Sequence, residues 1–304
     1  MLGSLSGAVE LGLLYALMAL GVYITFRILD FPDLTVDGSF TTGAAIAALM
    51  ITNGVSPWLA TIAAFGGGLA AGACTGLLHT KGKINGLLSG ILMMIALYSI
   101  NLRIMGKPNI SLLGLDNLYL NASVSPFLLG FIIVLVAKLL LDAFFRTDLG
   151  LALRATGDNA RMIRSLGANT DNTKIIGVSL SNGLVALSGA LIAQQSGFAD
   201  ISMGIGMIVI GLASVIIGEA ILGHMTIFRA TLAAILGSVV YRIIVALALQ
   251  VDWLKTSDLK AITAIIVIFA LVLPSAQRSL KQRKQAKKRT SELTGTETGG
   301  EVEC

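Results

Sequence analysis

The sequence predicts an all-α polytopic membrane protein of about nine transmembrane helices, and three observations carry that prediction. Charged residues are only 13% of the 304 and hydrophobic ones 55%, whereas a soluble domain is about a quarter charged. The apolar residues collect in runs near the roughly 20 residues that a helical span needs, and mean hydropathy is +0.84. Nearly all of the 22 Lys and Arg residues fall between those runs or in the C-terminal tail. A net charge of +5 distributed in this way marks membrane orientation and not a basic face for nucleic acid.

The runs cover residues 9–26, 38–51, 57–78, 84–104, 126–145, 175–194, 204–222, 226–249 and 259–273. The N-terminus has no basic stretch ahead of its apolar residues, so residues 1–26 are expected to remain as the first span and not to be cleaved. Run 38–51 opens in Gly, Ser and Thr and is short for a full span, which suits a partial helix shielded inside the bundle. Run 57–78 carries Gly66, Gly67, Gly68, Gly72 and Gly76. Small residues at four-residue spacing let helix backbones approach closely, and the expected use is packing within the chain.

Topology follows from counting cations. With Arg27, Lys81, Lys83, the interval 146–174, Arg229 and the tail placed in the cytoplasm, 16 of the 22 basic residues lie inside. Arg103, Lys107, Lys255 and Lys260 lie outside, while Lys138 and Arg242 remain within runs. The expectation is a cytoplasmic C-terminus and an outside N-terminus. Residues 1–276 are read as the membrane domain, and residues 277–304 as a basic, then acidic, disordered cytoplasmic tail that also anchors to lipid headgroups.

Three polar features stand out. The interval 146–174 is the longest polar break, and Asp158 with Asn159 can cap a short helix that Gly167 ends in a left-handed conformation. Between these caps Ala160, Ile163 and Leu166 share one face, while Arg161, Arg164 and Ser165 share another. The interval 30–43 carries Asp30, Asp33, Asp37, Pro32, Thr35 and Gly38 between apolar runs. Carboxylates at membrane depth are costly and face a partner or a wet path. One reading is a broken helix whose N–H groups at Gly38–Thr42 meet an anionic substrate group. The other is a surface cap by Asp33 or Asp37. Finally, Glu219 is expected to pair with Arg229, although Arg242 is a second candidate partner.

No enzyme signature is present. Cys74 and Cys304 define no disulfide framework, and His79 and His224 have no metal-ligand spacing. Gly82-Lys83-Ile84 lacks the Ser or Thr and the upstream glycine of a phosphate loop. Any ATP that drives the protein must therefore be bound by another subunit.

Three segments in order, residues 33–40 (Asp-Leu-Thr-Val-Asp-Gly-Ser-Phe), 150–159 (Gly-Leu-Ala-Leu-Arg-Ala-Thr-Gly-Asp-Asn) and 215–223 (Val-Ile-Ile-Gly-Glu-Ala-Ile-Leu-Gly), carry a resemblance. The chain resembles permease subunits of ABC importers in the branched-chain amino acid and ribose permease superfamily, nearest to a subgroup serving amino-acid binding proteins, some for aromatic amino acids. The resemblance covers about residues 10–274. It departs from the family at Thr35, where a serine is usual, at Asp37, which looks inserted, and at Glu219, where many relatives have glycine.

The resemblance implies a multi-pass protein of the bacterial plasma membrane that is not itself an enzyme. It implies a second permease subunit as a homodimer partner, an extracellular solute-binding protein, and ATP-binding subunits that carry the ATP and Mg, with no cofactor in this chain. It puts a coupling helix for the ATPase at Arg154, Gly157, Asp158, Asn159, Arg161, Ile163, Arg164, Leu166 and Gly167, preceded by a turn at residues 154–157. It puts the translocation path near Asp33, Thr35, Asp37 and Gly38. Few charges line the spans, which suits a small neutral or zwitterionic solute of apolar character, and the resemblance implies an amino acid, branched-chain or aromatic, or a related compound. The competing expectation is an ion-coupled transporter that uses Asp33, Asp37, Glu219 or Arg242; a channel would need a selectivity filter that nothing here resembles.

Overall fold

The helices of this bundle are held together by small residues and hydroxyls, as a chain folding in lipid requires. In the computed structural model the described residues are 2–121, 125–167, 169–223, 226–249, Ala264, Ile265 and Ile268. The run 259–273 lies almost wholly outside them, as do His224 and the tail 277–304. Among the described residues six helices are long and apolar enough to cross a membrane.

Helix α1 (Leu2–Val22) continues into a π-helical turn, Tyr23–Ile28. It is apolar on every side and is accordingly central: residues from Ala16 to Leu20 are fully buried. Helix α2 (Thr35–Thr52) is also central and is a full 18-residue helix, not the partial one the sequence suggested. Sequence pattern missed its start because Thr, Asp, Gly and Ser fill the first two turns. Helices α3 (Pro57–Thr80) and α4 (Gly86–Met105) follow, then strand β1 (Asn109–Ser111) and the short α5 (Leu118–Asn121). Helix α6 (Pro126–Phe144) leads to the amphipathic α7 (Asp148–Ser165). Helix α8 (Thr170–Ser196), strand β2 (Phe198–Asp200), α9 (Met207–Leu222) and α10 (Ile227–Ala248) complete the order.

α8 is the second axis of the bundle. Gly68, Gly72 and Gly76 of α3 abut its backbone at Asn182, Val178 and Ile175, so the glycine stripe does serve packing within the chain. Hydroxyls then tie backbone to backbone across helices: Ser181 donates to the Gly21 carbonyl at 2.7 Å, Ser188 to Leu14 at 2.8 Å and Ser238 to Gly12 at 2.6 Å. In hydrocarbon these bonds have no water competing for them. The outer faces of α4 and α6 expose Leu88, Leu92, Ile95, Phe131, Leu135 and Leu139, which suits contact with lipid or another apolar chain.

β1 and β2 form a two-stranded antiparallel ribbon with Ile110 opposite Ala199. The ribbon sits at the bundle end where α4 stops and α8 stops. The other end gathers Arg27, Lys81, Lys83, Lys174 and α7. There His79 Nδ1 meets the Ile84 carbonyl at 2.8 Å and its Nε2 meets Lys174 Nζ at 3.3 Å. Since a carbonyl can only accept, Nδ1 carries the proton and Nε2 accepts from the ammonium.

The partner of Glu219 differs from expectation, and the two cations that the charge count left within runs, Arg242 and Lys138, are both engaged. Glu219 pairs with Arg27, Nε donating to Oε1 at 2.8 Å, and not with Arg229, because the end of the π-turn packs beside α9. Arg242 stacks on the Tyr15 ring at 4.0 Å from its centroid. Lys138 is no topological cation: it is buried against Asp142 one turn on, under the Phe228 ring, and Thr231 donates to the other Asp142 oxygen at 2.8 Å.

Candidate functional site

The break between α1 and α2 folds around Asp33. Its side chain is fully buried, with Oδ1 accepting from Thr35 N–H at 2.9 Å and Oδ2 from Asn182 Nδ2 at 2.7 Å. Asn182 also donates to the Val178 carbonyl at 2.9 Å, and its Oδ1 accepts from Ser39 Oγ at 2.7 Å. Thr35 Oγ1 lies 2.8 Å from Thr75 Oγ1 on α3. Each carboxylate oxygen and each amide atom has a partner. A buried network satisfied to this degree fixes one arrangement of α2, α3 and α8. Asp33 and Thr35 therefore anchor the start of α2 and do not border open space.

Asp37, one turn further, does. Its Oδ2 accepts from Gly206 N–H at 2.8 Å and its Oδ1 from Ile208 N–H at 2.9 Å. Both donors are at the first turn of α9, where backbone N–H groups have no partner within the helix and the dipole favours an anion. Gly206 holds φ +89°, a left-handed conformation that lets the chain turn abruptly into α9. This corrects one expectation: the N–H groups of Gly38–Thr42 are consumed inside α2, which begins at Thr35. The free helix end is that of α9, and a side chain of this protein already caps it.

Asp37, Gly38 and Thr41 line a cavity of about 480 Å³ between α2, α4 and the loop that enters α9. Tyr98, Ser99 and Asn101 face it from α4 and Ile201 and Ile205 from the loop. Asn101 is 1% exposed; its Nδ2 donates to the Gly38 carbonyl at 3.2 Å, while its Oδ1 has no partner. The volume is of the order that small-molecule sites occupy, a few hundred to a thousand Å³, with apolar walls and few polar groups. A larger cavity of about 810 Å³ between α3, α6 and α8 is bordered by Trp58, Ile62, Leu140, Ile176 and other apolar residues, with Ser179 the one polar side chain among the described residues that line it. Sequence reading passed over Asn101 and Asn182, although a carboxamide inside an apolar run was a usable signal.

At the basic end, α7 differs from the short capped helix expected there. Helix begins at Asp148, so Arg154–Gly157 are helical and not a turn. Its inner face buries Leu153 and Thr156. A Cβ on Gly157 would overlap the Ile28 carbonyl, so only glycine permits this approach to the π-turn. Asn159 leaves the helix at φ −155°, ψ 86°, and its Oδ1 accepts from Met162 N–H at 3.0 Å. Asn159 and not Asp158 is thus the cap of the last segment, which Gly167 closes at φ +84°. On that segment Met162 is 58% and Leu166 71% exposed, with Arg161 also exposed, while Ile163 is half-buried. Arg164 is turned back to α8, with Nε on Thr170 Oγ1 at 2.7 Å.

Apolar spans around a small cavity, with a hinged amphipathic helix at one end, define a multi-pass membrane transport protein. The chain belongs to the family of permease components of branched-chain amino acid transport systems, whose model matches residues 4–273. It is 49% identical over 270 residues to a tyrosine transport system permease protein of Clostridioides difficile (strain R20291), covering 89% of this chain and 91% of that one. An uncharacterized protein of Rickettsia prowazekii (strain Madrid E) is 41% identical over 188 residues, 60% of this chain and 65% of its own length. No solved structure matches the chain. The protein is a permease subunit of an ABC importer for amino acids, and not an enzyme.

Proposed function

We propose that this permease pairs with a second copy of itself and imports an apolar or aromatic amino acid, tyrosine among the candidates, delivered by an extracellular binding protein. The observation that carries the reading is the α2–α4 cavity, in which one carboxylate and one carboxamide sit among apolar walls. It is open beside the exposed face of α4, which a second copy can close. The relative that transports tyrosine supports an aromatic solute. Of the four groups an ion-coupled transporter would use, three are otherwise engaged: Asp33 is saturated with donors, Glu219 is paired with Arg27, and Arg242 is stacked on Tyr15, while Asp37 lines the cavity.

Energy enters, in this reading, through the last segment of α7, docked on an ATP-binding subunit that carries ATP and Mg. The turn at Gly82-Lys83-Ile84 supports that division of labour, since Gly82 and Ile84 spend their N–H groups on the Leu77 and Leu78 carbonyls and cradle nothing. Met162 and Leu166 form the contact, Arg161 frames it, and Asn159 and Gly167 fix its ends. The C-terminus is cytoplasmic and the N-terminus outside, in the plasma membrane of a bacterium.

The test is co-purification and ATP-driven uptake in vesicles with the partner subunits. Leu166→Asp and Met162→Asp are expected to release the ATPase and abolish uptake while the permease still elutes as one species. Uptake that persists in both variants, or that an uncoupler abolishes at constant ATP, overturns the reading.

A further inference from the structure

Among the described residues that line it, the α2–α4 cavity has the acceptors of Asp37 and Asn101, the hydroxyls of Thr41, Tyr98 and Ser99, and no cation. The Asp37 carboxylate takes the N–H groups of Gly206 and Ile208, with that of Met207 between them also directed at it, which leaves one of its four acceptor positions open. Asn101 independently leaves a buried Oδ1 unpaired in a cavity that the residue lines. Its amide orientation is fixed, because Nδ2 must face the Gly38 carbonyl. A buried acceptor without a donor costs roughly 1–3 kcal/mol, and a ligand that donates to it recovers that cost.

We infer that the cavity is a recognition site for the ammonium group of the transported amino acid, a reading that rests on amino-acid import by this permease. The –NH₃⁺ group has three donors and accepts nothing. It fits between the open position of Asp37 and the Asn101 Oδ1. The Tyr98 ring and Ile205 then border the solute's side chain. Among the described residues no Lys, Arg or His lines the cavity, so the solute's carboxylate gains no ion pair from them. The site thus requires the amine and tolerates loss of the acid.

The probes are L-tyrosine, tyramine, which lacks the carboxylate, and 3-(4-hydroxyphenyl)propionate, which lacks the amine. Ser99→Cys is introduced into the full-length permease with Cys74 and Cys304 replaced by serine, co-expressed with its partner subunits. The rate of thiol labelling in membrane vesicles reports occupancy. A ligand at twice its dissociation constant slows labelling about threefold, as 1 + [L]/Kd. L-tyrosine and tyramine are expected to protect and the deaminated acid not to. Asp37→Asn and Asn101→Leu are each expected to remove the protection. Asn101→Leu leaves the α9 cap untouched, and the comparison of analogues in the Ser99→Cys background needs no change at Asp37 or Asn101.

Protection by the acid as strong as by the amine overturns the inference, and so does protection that survives both variants. If the wild-type complex imports tyrosine yet no probe protects, the inference fails and the import reading stands. If it imports no amino acid, both fall.

Discussion

Replacing Asn182 by Ala tests whether the Asp33 network fixes the centre of the bundle. The variant removes the donor to Asp33 Oδ2 and the acceptor of the Ser39 hydroxyl, both with side chains fully buried. Neutral interhelical hydrogen bonds in membranes average only about 0.6 kcal/mol, because the unfolded helices find other partners. Leaving a buried acceptor without its donor costs about 1–3 kcal/mol. The orphaned Asp33 oxygen therefore decides the outcome, and the two losses together come to about 2–4 kcal/mol. One kcal/mol shifts the melting midpoint of a domain of 150–250 residues by about 2–4 °C, so a drop near 10 °C is expected. Thermal melting followed by size-exclusion chromatography in detergent measures it. Asp33→Leu together with Asn182→Leu removes charge and donor at once and is expected to melt above Asn182→Ala. A single variant within about 1 °C of wild type, or a double variant lower than either single, would refute the reasoning.

Two further outcomes follow from charged groups at the edges of the fold. Lys138→Met leaves Asp142 buried with only Thr231 as donor, at a cost of about 3–5 kcal/mol for breaking one side of a buried pair; Lys138→Met with Asp142→Leu is expected to recover most of it in the same melting assay. At the ribbon end the Asp200 carboxyl is held below the ordinary 3.8, first by the Ser202 hydroxyl and then by the Ser202 N–H and Asn109. A depressed carboxyl stabilises the fold above its unfolded pKa and loses that contribution as pH falls through the folded value. Amide hydrogen exchange of the segment 198–202 is therefore expected to be flat from neutral pH to about 4, once corrected for intrinsic rates, and to quicken only in more acidic buffer. Asp200→Asn should abolish that acid-side change.

The apolar runs showed most of the fold because lipid imposes a length and a composition on every span. Runs 57–78, 84–104 and 126–145 agree with α3, α4 and α6 to within two residues. The pattern failed where burial is inside protein and not in lipid. α2 begins at Thr35 because its polar first turns are satisfied by Asp33 two residues back and by Asn182 and Thr75, partners on segments far along the chain. Asp37 was singled out as a carboxylate at depth, but its donors at Gly206 and Ile208 are about 170 residues away and no local spacing encodes them. Likewise Gly167 and Asn159 were legible as caps, since capping is local. The helix upstream of Asn159 was not, since its stability comes from Leu153 and Gly157 packing on the π-turn and α8.

That packing also gives the two candidate sites a mechanical connection. Gly157 of α7 presses on the Ile28 carbonyl, and Ile28 ends the π-turn from which Leu29 to Leu34 run to α2. Phe31 N–H reaches back to the Thr25 carbonyl at 2.9 Å and Asp33 clamps the far end, so this connection has little slack. In the proposed docking, displacement of α7 would be delivered to the first turns of α2, where Asp37 holds the start of α9. Position between two sites does not establish coupling; an element with two arrangements does. The π-turn is the element with that capacity, because its wider ring can relax to α-helix and shift the register of the residues beyond it. A variant that favours α-helix there, such as Thr25→Ala, which removes the hydroxyl bond to Val22, should change ATP-driven uptake without changing solute protection at Ser99→Cys. Equal loss of both would place the π-turn in the support of the site and not in its coupling.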